Sequence, residues 1–244
     1  MLIRFMGLIL LIHTSLVIAK PLTVGIVSYD PPFTVRADKD HYFGFDIELM
    51  STLCTEMKTQ CQFKPMPFNQ LFTQLNKGTI DLAIAAIIIT DERQKQFTFS
   101  LPYLVSNARF ITTLKNSITS MDDFNKKNVG VIQGSIFKQW ITLKLPGISI
   151  TEYPTTDQLI SALNKNEVDG VLMDDFSADY WIINNQHSFI GIGEPLLIGT
   201  GYGIMAKNGS VTLIKRVNKA LKNITNNDIY IALYKKYFHT IPTH

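Results

Sequence analysis

Arg93 is the side chain in this sequence with the clearest chemistry to offer. It closely follows a greasy run within "AAIIITDERQKQFTFSLPY" (Ala85–Tyr103). An arginine just past the end of a buried strand has two readings. It is a solvated loop residue, or it is an anion clamp at the mouth of a cleft. A guanidinium suits the second task because its planar fork makes two parallel charge-assisted bonds to a carboxylate, which a lysine cannot do. Other chemistry is sparse. His187 and His239 lie in polar stretches with no nucleophile beside them, and no phosphate loop or metal-ligand spacing occurs. Cys54 and Cys61 are the two cysteines, seven residues apart, and two thiols alone do not fill a zinc shell.

The positioning scaffold is large enough for a core. The chain has 244 residues, 46% hydrophobic and 18% charged, which allows one large domain or two small ones. Its net charge of +3 is too weak and scattered to point to nucleic acid. The pairs Lys126–Lys127 and Lys235–Lys236 read as solvated faces rather than phosphate patches.

The first nineteen residues form a separate piece. Arg4 precedes a mostly apolar stretch from Phe5 to Ile18, broken by His13, Thr14 and Ser15, and Val17-Ile18-Ala19 suits a signal peptidase. The stretch falls short of the roughly 20 apolar residues a membrane span needs. The expectation is a secretory signal over residues 1–19, cleaved after Ala19. A secreted chain meets an oxidising compartment, so Cys54 and Cys61 are expected to pair, joining the end of one helix to the next strand.

After the signal the chain alternates. "LTVGIV" reads as a strand, stopped by Pro31-Pro32. "GFDIELMSTLCTEM" places Ile47, Met50, Leu53, Cys54 and Met57 on one helical face, with Asp46 where an N-cap carboxylate would help. "CQFKPMPF" is a strand. "FNQLFTQLNKG" repeats the helical face with Phe68, Leu71, Phe72 and Leu75 and stops at Gly78. "TIDLAIAAIIIT" reads as one buried strand. A second α/β unit follows: "NVGVIQG", a helix opened by Gly134 and Ser135, "GISITEY", a helix beginning near Thr155 or Thr156, "VDGVLMDD" and "FSADYWIINN". "PLLIGTGYGIMAK" reads as a returning strand, and two helices close the chain. "SNARFITTLKN" is strand-like, so the two units are joined by extended segments rather than a floppy tether. The fold class is α/β with largely parallel sheets.

Several of these stretches resemble, in order, the bacterial periplasmic solute-binding proteins of polar amino acid ABC importers (family 3). They are "GFDIEL", "LCTEMKTQC", "ITDERQKQFTFSLPY", "VGVIQGS", "VDGVLMDD", "GYGIMAKNGS" and "LYKKYF". "LCTEMKTQC" resembles the lysine/arginine/ornithine and histidine binders, which carry a disulfide at this spacing. The resemblance implies a two-lobed periplasmic binding protein fold (type II). Its ligand cleft lies between lobes joined by two extended hinge segments, at the carboxyl ends of the strands. Lobe 1 would comprise residues 20–110 and 196–244, and lobe 2 residues 111–195.

The same resemblance assigns roles. Arg93 would clamp a ligand carboxylate, together with backbone N–H groups at Ser135 and Ile136. Asp174 would take the ammonium, with Asp175 as its competitor; the alternative for this pair is a helix cap. Backbone carbonyls near Ala86 would assist. Phe68 would form a side-chain wall. Two positions depart from the family pattern. Ile88 stands where a hydroxyl residue usually helps hold the ammonium. Asp30 stands where an aromatic residue usually precedes the prolines, with Tyr29 shifted back by one; otherwise Asp30 is a turn residue. An aspartate beside Tyr29 and opposite Phe68 favours a cationic ligand, arginine first, then lysine or ornithine.

The implied function is a monomeric periplasmic binder that captures an amino acid and docks on a membrane ABC permease, with no cofactor, no metal and no nucleic acid. Two alternatives stay open: a cyclohexadienyl dehydratase-like enzyme on the same fold, and a solute sensor for a membrane receptor.

Overall fold

The computed structural model describes residues 20–39 and 41–238. Residues 1–19, where a secretory signal is expected, and His239 lie outside the described residues. The chain begins with β1 (Leu22–Ile26), a short ribbon of β2 (Val35–Arg36) and β3 (Tyr42–Phe43), α1 (Phe45–Glu56), β4 (Cys61–Pro65), α2 (Phe68–Lys77), β5 (Leu82–Ala83), α3 (Asp91–Gln94) and β6 (Phe97–Phe99). It continues through β7 (Asn107–Thr113), β8 (Asn128–Ile132), α4 (Phe137–Lys144), β9 (Ser149–Tyr153), α5 (Thr156–Asn164), β10 (Gly170–Asp174), α6 (Asp175–Asn184) and β11 (Phe189–Leu197). It returns with β12 (Met205–Lys207), α7 (Val211–Thr225) and α8 (Ile229–Tyr237).

Two five-stranded sheets result, one per lobe. The first has the order β4-β1-β5-β12-β6 and the second β11-β7-β10-β8-β9. In the first, β1 runs parallel to β4 and β5, while β12 returns antiparallel to β5 and β6. In the second, β10, β8 and β9 are parallel, and β7 and β11 are antiparallel partners at the edge. The chain crosses between the sheets twice, at 100–106 and 198–204. The crossings are tied to each other: Ser106 Oγ donates to the Ile198 carbonyl and accepts the Gly201 N–H at 2.9 Å, and Tyr202 bridges Leu104.

The helical faces expected from the periodicity pack as they should. Leu49, Met50 and Leu53 of α1 are fully buried in one cluster with Val217, Leu221 and Ile224 of α7. Each such aliphatic side chain contributes roughly 1.5–3 kcal/mol by leaving water. The Cys54–Cys61 disulfide ties α1 to β4 with Cα atoms 6.1 Å apart. Gly44 precedes α1 at φ 127°, where a Cβ would stand 2.3 Å from the Phe33 carbonyl oxygen, so no other residue fits this entry into the helix.

Three local expectations are corrected. Asp46 does not cap α1: the N-cap is Gly44 with no side-chain bond, and Asp46 is fully buried. The buried stretch after Gly78 is a strand only at Leu82–Ala83, because Ala86 takes the left-handed conformation at φ 44° and turns the chain away from the sheet. Helix α4 starts at Phe137 rather than at Gly134-Ser135. There Gly134, at φ 82°, closes tightly on Asn69 of the other lobe; a Cβ would lie 2.8 Å from the Asn69 Cβ.

Candidate ligand-binding cleft

A largely apolar cavity lies where the carboxyl ends of β1, β8 and β10 face the turn after β5. Lobe 1 lines it with Tyr29, Asp30, Met66, Phe68, Ala85, Ala86, Ile88 and Arg93; lobe 2 adds Ile132, Ser135, Ile136, Phe137, Thr155, Thr156 and Asp174. All eight residues singled out from the sequence therefore share one cavity: Asp30, Phe68, Ala86, Ile88, Arg93, Ser135, Ile136 and Asp174.

Arg93 enters from α3, a single turn whose N-cap Thr90 accepts the Arg93 backbone N–H at 3.2 Å. Only 9% of the residue is exposed. Nη1 donates to the Ile88 carbonyl at 2.8 Å, and Nη2 reaches across the cleft to the Gly134 carbonyl at 3.2 Å. The guanidinium carbon lies 5.0 Å from the Phe72 ring centroid and 5.7 Å from that of Phe68. Burial lowers its pKa to about 10, and Asp174 and Glu92 oppose the shift. Arg93 is thus held, not solvated, and the fork keeps further N–H groups for an anion.

The two neighbouring aspartates separate. Asp175 opens α6 and makes an ion pair with Arg109 Nε at 2.7 Å, with Asp179 on the same arginine at 3.0 Å. Asp174, the last residue of β10, lines the cavity, and among the described residues no donor reaches its buried Oδ1. The nearby Tyr202 hydroxyl donates to the Asn107 carbonyl at 3.1 Å and also lies close enough to the Asp174 carboxyl to oppose part of its pKa shift. Burial, with Asp30 next, raises the Asp174 carboxyl well above the usual range. A cation at this point would satisfy it.

Asp30 crosses the cleft. Its Oδ1 accepts the Ser177 hydroxyl at 3.1 Å and the Thr156 hydroxyl at 3.3 Å, both from lobe 2. Burial pushes its pKa to about 7, against these two hydrogen bonds. Tyr29 beside it stands edge-on to Trp181, centroids 6.3 Å apart. Burial raises its hydroxyl pKa.

Behind the cavity wall, Asp46 Oδ2 accepts the Ala86 N–H at 2.9 Å. This bond holds Ala86 in its left-handed turn, and burial lifts the Asp46 carboxyl to about 7. No hydrogen bond occupies the Ala86 carbonyl among the described residues. Ile88 contributes a methyl surface to the cavity, while its carbonyl is taken by Arg93.

Sequence reasoning missed Ser177, Thr156 as a partner of Asp30, and the role of Asp46. No spacing marks them, because their partners lie 147, 126 and 40 residues away. Chemically, the site offers an arginine for an anion, two buried acids for cations, and apolar walls between them. It can bind a molecule that carries both signs of charge.

Known proteins resemble this chain in sequence and in fold. The model of the "Bacterial extracellular solute-binding proteins, family 3" matches residues 22–240. The arginine-binding periplasmic protein of Mannheimia haemolytica is 30% identical over 223 residues, covering 90% of this chain and 91% of that protein. The crystal structure of an arginine 3rd transport system periplasmic binding protein from Legionella pneumophila superposes with a TM-score of 0.86. It is 35% identical and covers 89% of this chain and 99% of its own. An ancestral arginine-binding protein bound to arginine gives 0.84 at 30% identity, with 91% and 99% coverage.

Proposed function

The chain belongs to the bacterial extracellular solute-binding proteins, family 3, and we propose that it captures a basic amino acid, arginine first, and delivers it to an ABC importer. The observation that carries the choice of ligand is the charge count of the cleft. Two buried carboxylates, Asp30 and Asp174, line it against one arginine, Arg93. A zwitterion with a neutral side chain pairs Arg93 and Asp174 and leaves Asp30 without a counter-charge. A basic amino acid brings one negative and two positive groups, which matches all three, and unpaired buried charge is what such a site must avoid.

In this reading Arg93 clamps the ligand carboxylate, helped by the Ile136 N–H, while the expected Ser135 N–H is already given to the Ile132 carbonyl at 3.0 Å. The first N–H groups of α4 have no partner within the helix. Asp174 and the Ala86 carbonyl take the α-ammonium, a task in which Ile88 supplies no hydroxyl. The distal cation goes to Asp30, and Phe68 forms the apolar wall. The ligand is bound and released unchanged, so the protein acts as a carrier rather than an enzyme. Residues 1–19 direct export to the periplasm, and the monomer closes on its ligand and docks transiently on the permease.

The test is mass spectrometry of ligand released by denaturing protein purified from cells, followed by calorimetry with arginine, lysine, glutamine, histidine and glutamate. Arginine is expected to bind tightest. Glutamine or glutamate binding far more tightly than arginine overturns the assignment.

A further inference from the structure

Asp30 belongs to lobe 1, yet both donors to its carboxylate come from lobe 2. Ser177 is fully buried in the first turn of α6, and Thr156, 5% exposed, opens α5. Hydroxyls in helices commonly return their proton to a carbonyl of their own turn. Ser51, Thr52 and Thr142 do so here, donating four residues back at 2.7, 2.8 and 2.9 Å. Ser177 and Thr156 instead converge on one oxygen of Asp30, at 3.1 and 3.3 Å. Both side-chain hydrogen bonds of Asp30 among the described residues fall on Oδ1, and the residue lines the cavity.

We infer that Ser177 and Thr156 are positioning residues, which hold the Asp30 carboxylate across the cleft with its second oxygen presented to the distal cation of the ligand. They thereby set the preference of the closed cleft for a charged side chain. The inference rests on the reading of the ligand as a basic amino acid. Its physical content is the division of labour at one carboxylate. Two hydroxyls at Oδ1 stabilise the ionised form, and burial disfavours it. The acids Asp46 and Asp174 lie close enough to sense Asp30, so neither supplies the missing positive charge. With the hydroxyls in place, a ligand cation completes the shell of an ionised carboxylate. Without them, the cleft protonates Asp30 more readily and loses its reason to prefer a cation over a neutral isostere.

The experiment compares L-arginine with L-citrulline, which has nearly the same shape and no side-chain charge, by calorimetry at pH 7.5. Wild type is expected to prefer arginine. Ser177→Ala/Thr156→Val keeps side-chain volume while removing both hydroxyls. It is expected to lower arginine affinity about ten- to hundredfold and citrulline affinity by less than about threefold, so the preference collapses. Thr156→Ser, which keeps a hydroxyl, retains the preference. Should the double variant fail to fold, Thr156→Val alone serves, with about a three- to tenfold loss confined to arginine. Equal losses for both ligands mean a merely structural role and overturn the inference alone. A wild type that prefers citrulline overturns the basic-ligand reading and this inference with it.

Discussion

Replacing Arg93 with alanine separates two jobs that the structure gives one side chain. The guanidinium donates to the buried Ile88 carbonyl at 2.8 Å and to the Gly134 carbonyl at 3.2 Å, and it covers Phe68 and Phe72. An acceptor left unpaired in the interior costs about 1–3 kcal/mol. Removing a charge whose burial already lowers its pKa to about 10 offsets part of that cost. The net destabilisation is expected near the low end, about 1–2 kcal/mol, or a melting midpoint lower by roughly 2–8 °C for a chain of this size. Affinity suffers more. Leaving a ligand carboxylate desolvated without its partner costs on the order of 2–5 kcal/mol, a factor of about thirty to several thousand. Arg93→Lys keeps the charge but cannot bridge both carbonyls and a carboxylate from one nitrogen, so it is expected to lose part of the stability that the alanine variant loses and to bind at least about tenfold more weakly. Calorimetry with arginine and with agmatine, which lacks the carboxylate, completes the test. In the alanine variant the two ligands should bind alike, because the group that tells them apart is gone. If both variants bind arginine as tightly as wild type, Arg93 is only a strut between the lobes and the clamp is refuted.

Four further outcomes follow from other contacts. Burial lifts Asp30 to about 7 and Asp174 well above the usual range, so arginine binding near pH 6–7 should release protons. Calorimetry in buffers of different ionisation heat reads this directly, and zero release contradicts it. The same raised values, with Asp46 at about 7, mean that the folded protein holds more protons than the unfolded chain between about pH 4 and 7. Stability from these groups is therefore full below about pH 4 and is lost as pH rises through 7; a urea midpoint that instead increased from pH 5 to 8 would oppose this. Cys54→Ser with Cys61→Ser removes a cross-link closing a short loop, worth about 2–3 kcal/mol or roughly 4–12 °C in melting midpoint, and an unchanged midpoint would show that it contributes nothing. Asp46→Ala strands the Ala86 N–H, costs about 1–3 kcal/mol and weakens arginine binding. Adding Ala86→Gly, which suits φ 44°, should recover part of the stability, and no recovery would deny that Asp46 holds the turn.

What could be read in the sequence is what depends on neighbours along the chain. Helical periodicity placed α1 and α2, and the alternation of apolar runs with amphipathic ones gave two α/β units. The motif around Arg93 marked it out because an arginine one turn beyond a buried run is chemically conspicuous. Asp30 and Ile88 stood out as departures from a family pattern. Local rules failed where a distant group overrode them. Asp46 has the type and place of a cap, yet Ala86, 40 residues later, claims its carboxylate. "TIDLAIAAIIIT" is apolar enough for one long strand, yet that same bond turns the chain at Ala86 and breaks the ladder.

The tertiary structure decided which of two adjacent aspartates faces the cavity. Asp174 and Asp175 are the same residue type one position apart. Asp174 ends β10 and Asp175 opens α6, and Arg109 on β7 takes Asp175, leaving Asp174 to the cleft. It also decided the partners of Asp30. A hydroxyl in a helix carries no mark of whether it serves its own turn or another lobe, and only the packing of α5 and α6 against the loop after β1 brings Thr156 and Ser177 to it. Short-range preferences are written in residue type and spacing. The pairing of buried charges is settled by which groups are left without water when two lobes meet, and that depends on the whole fold.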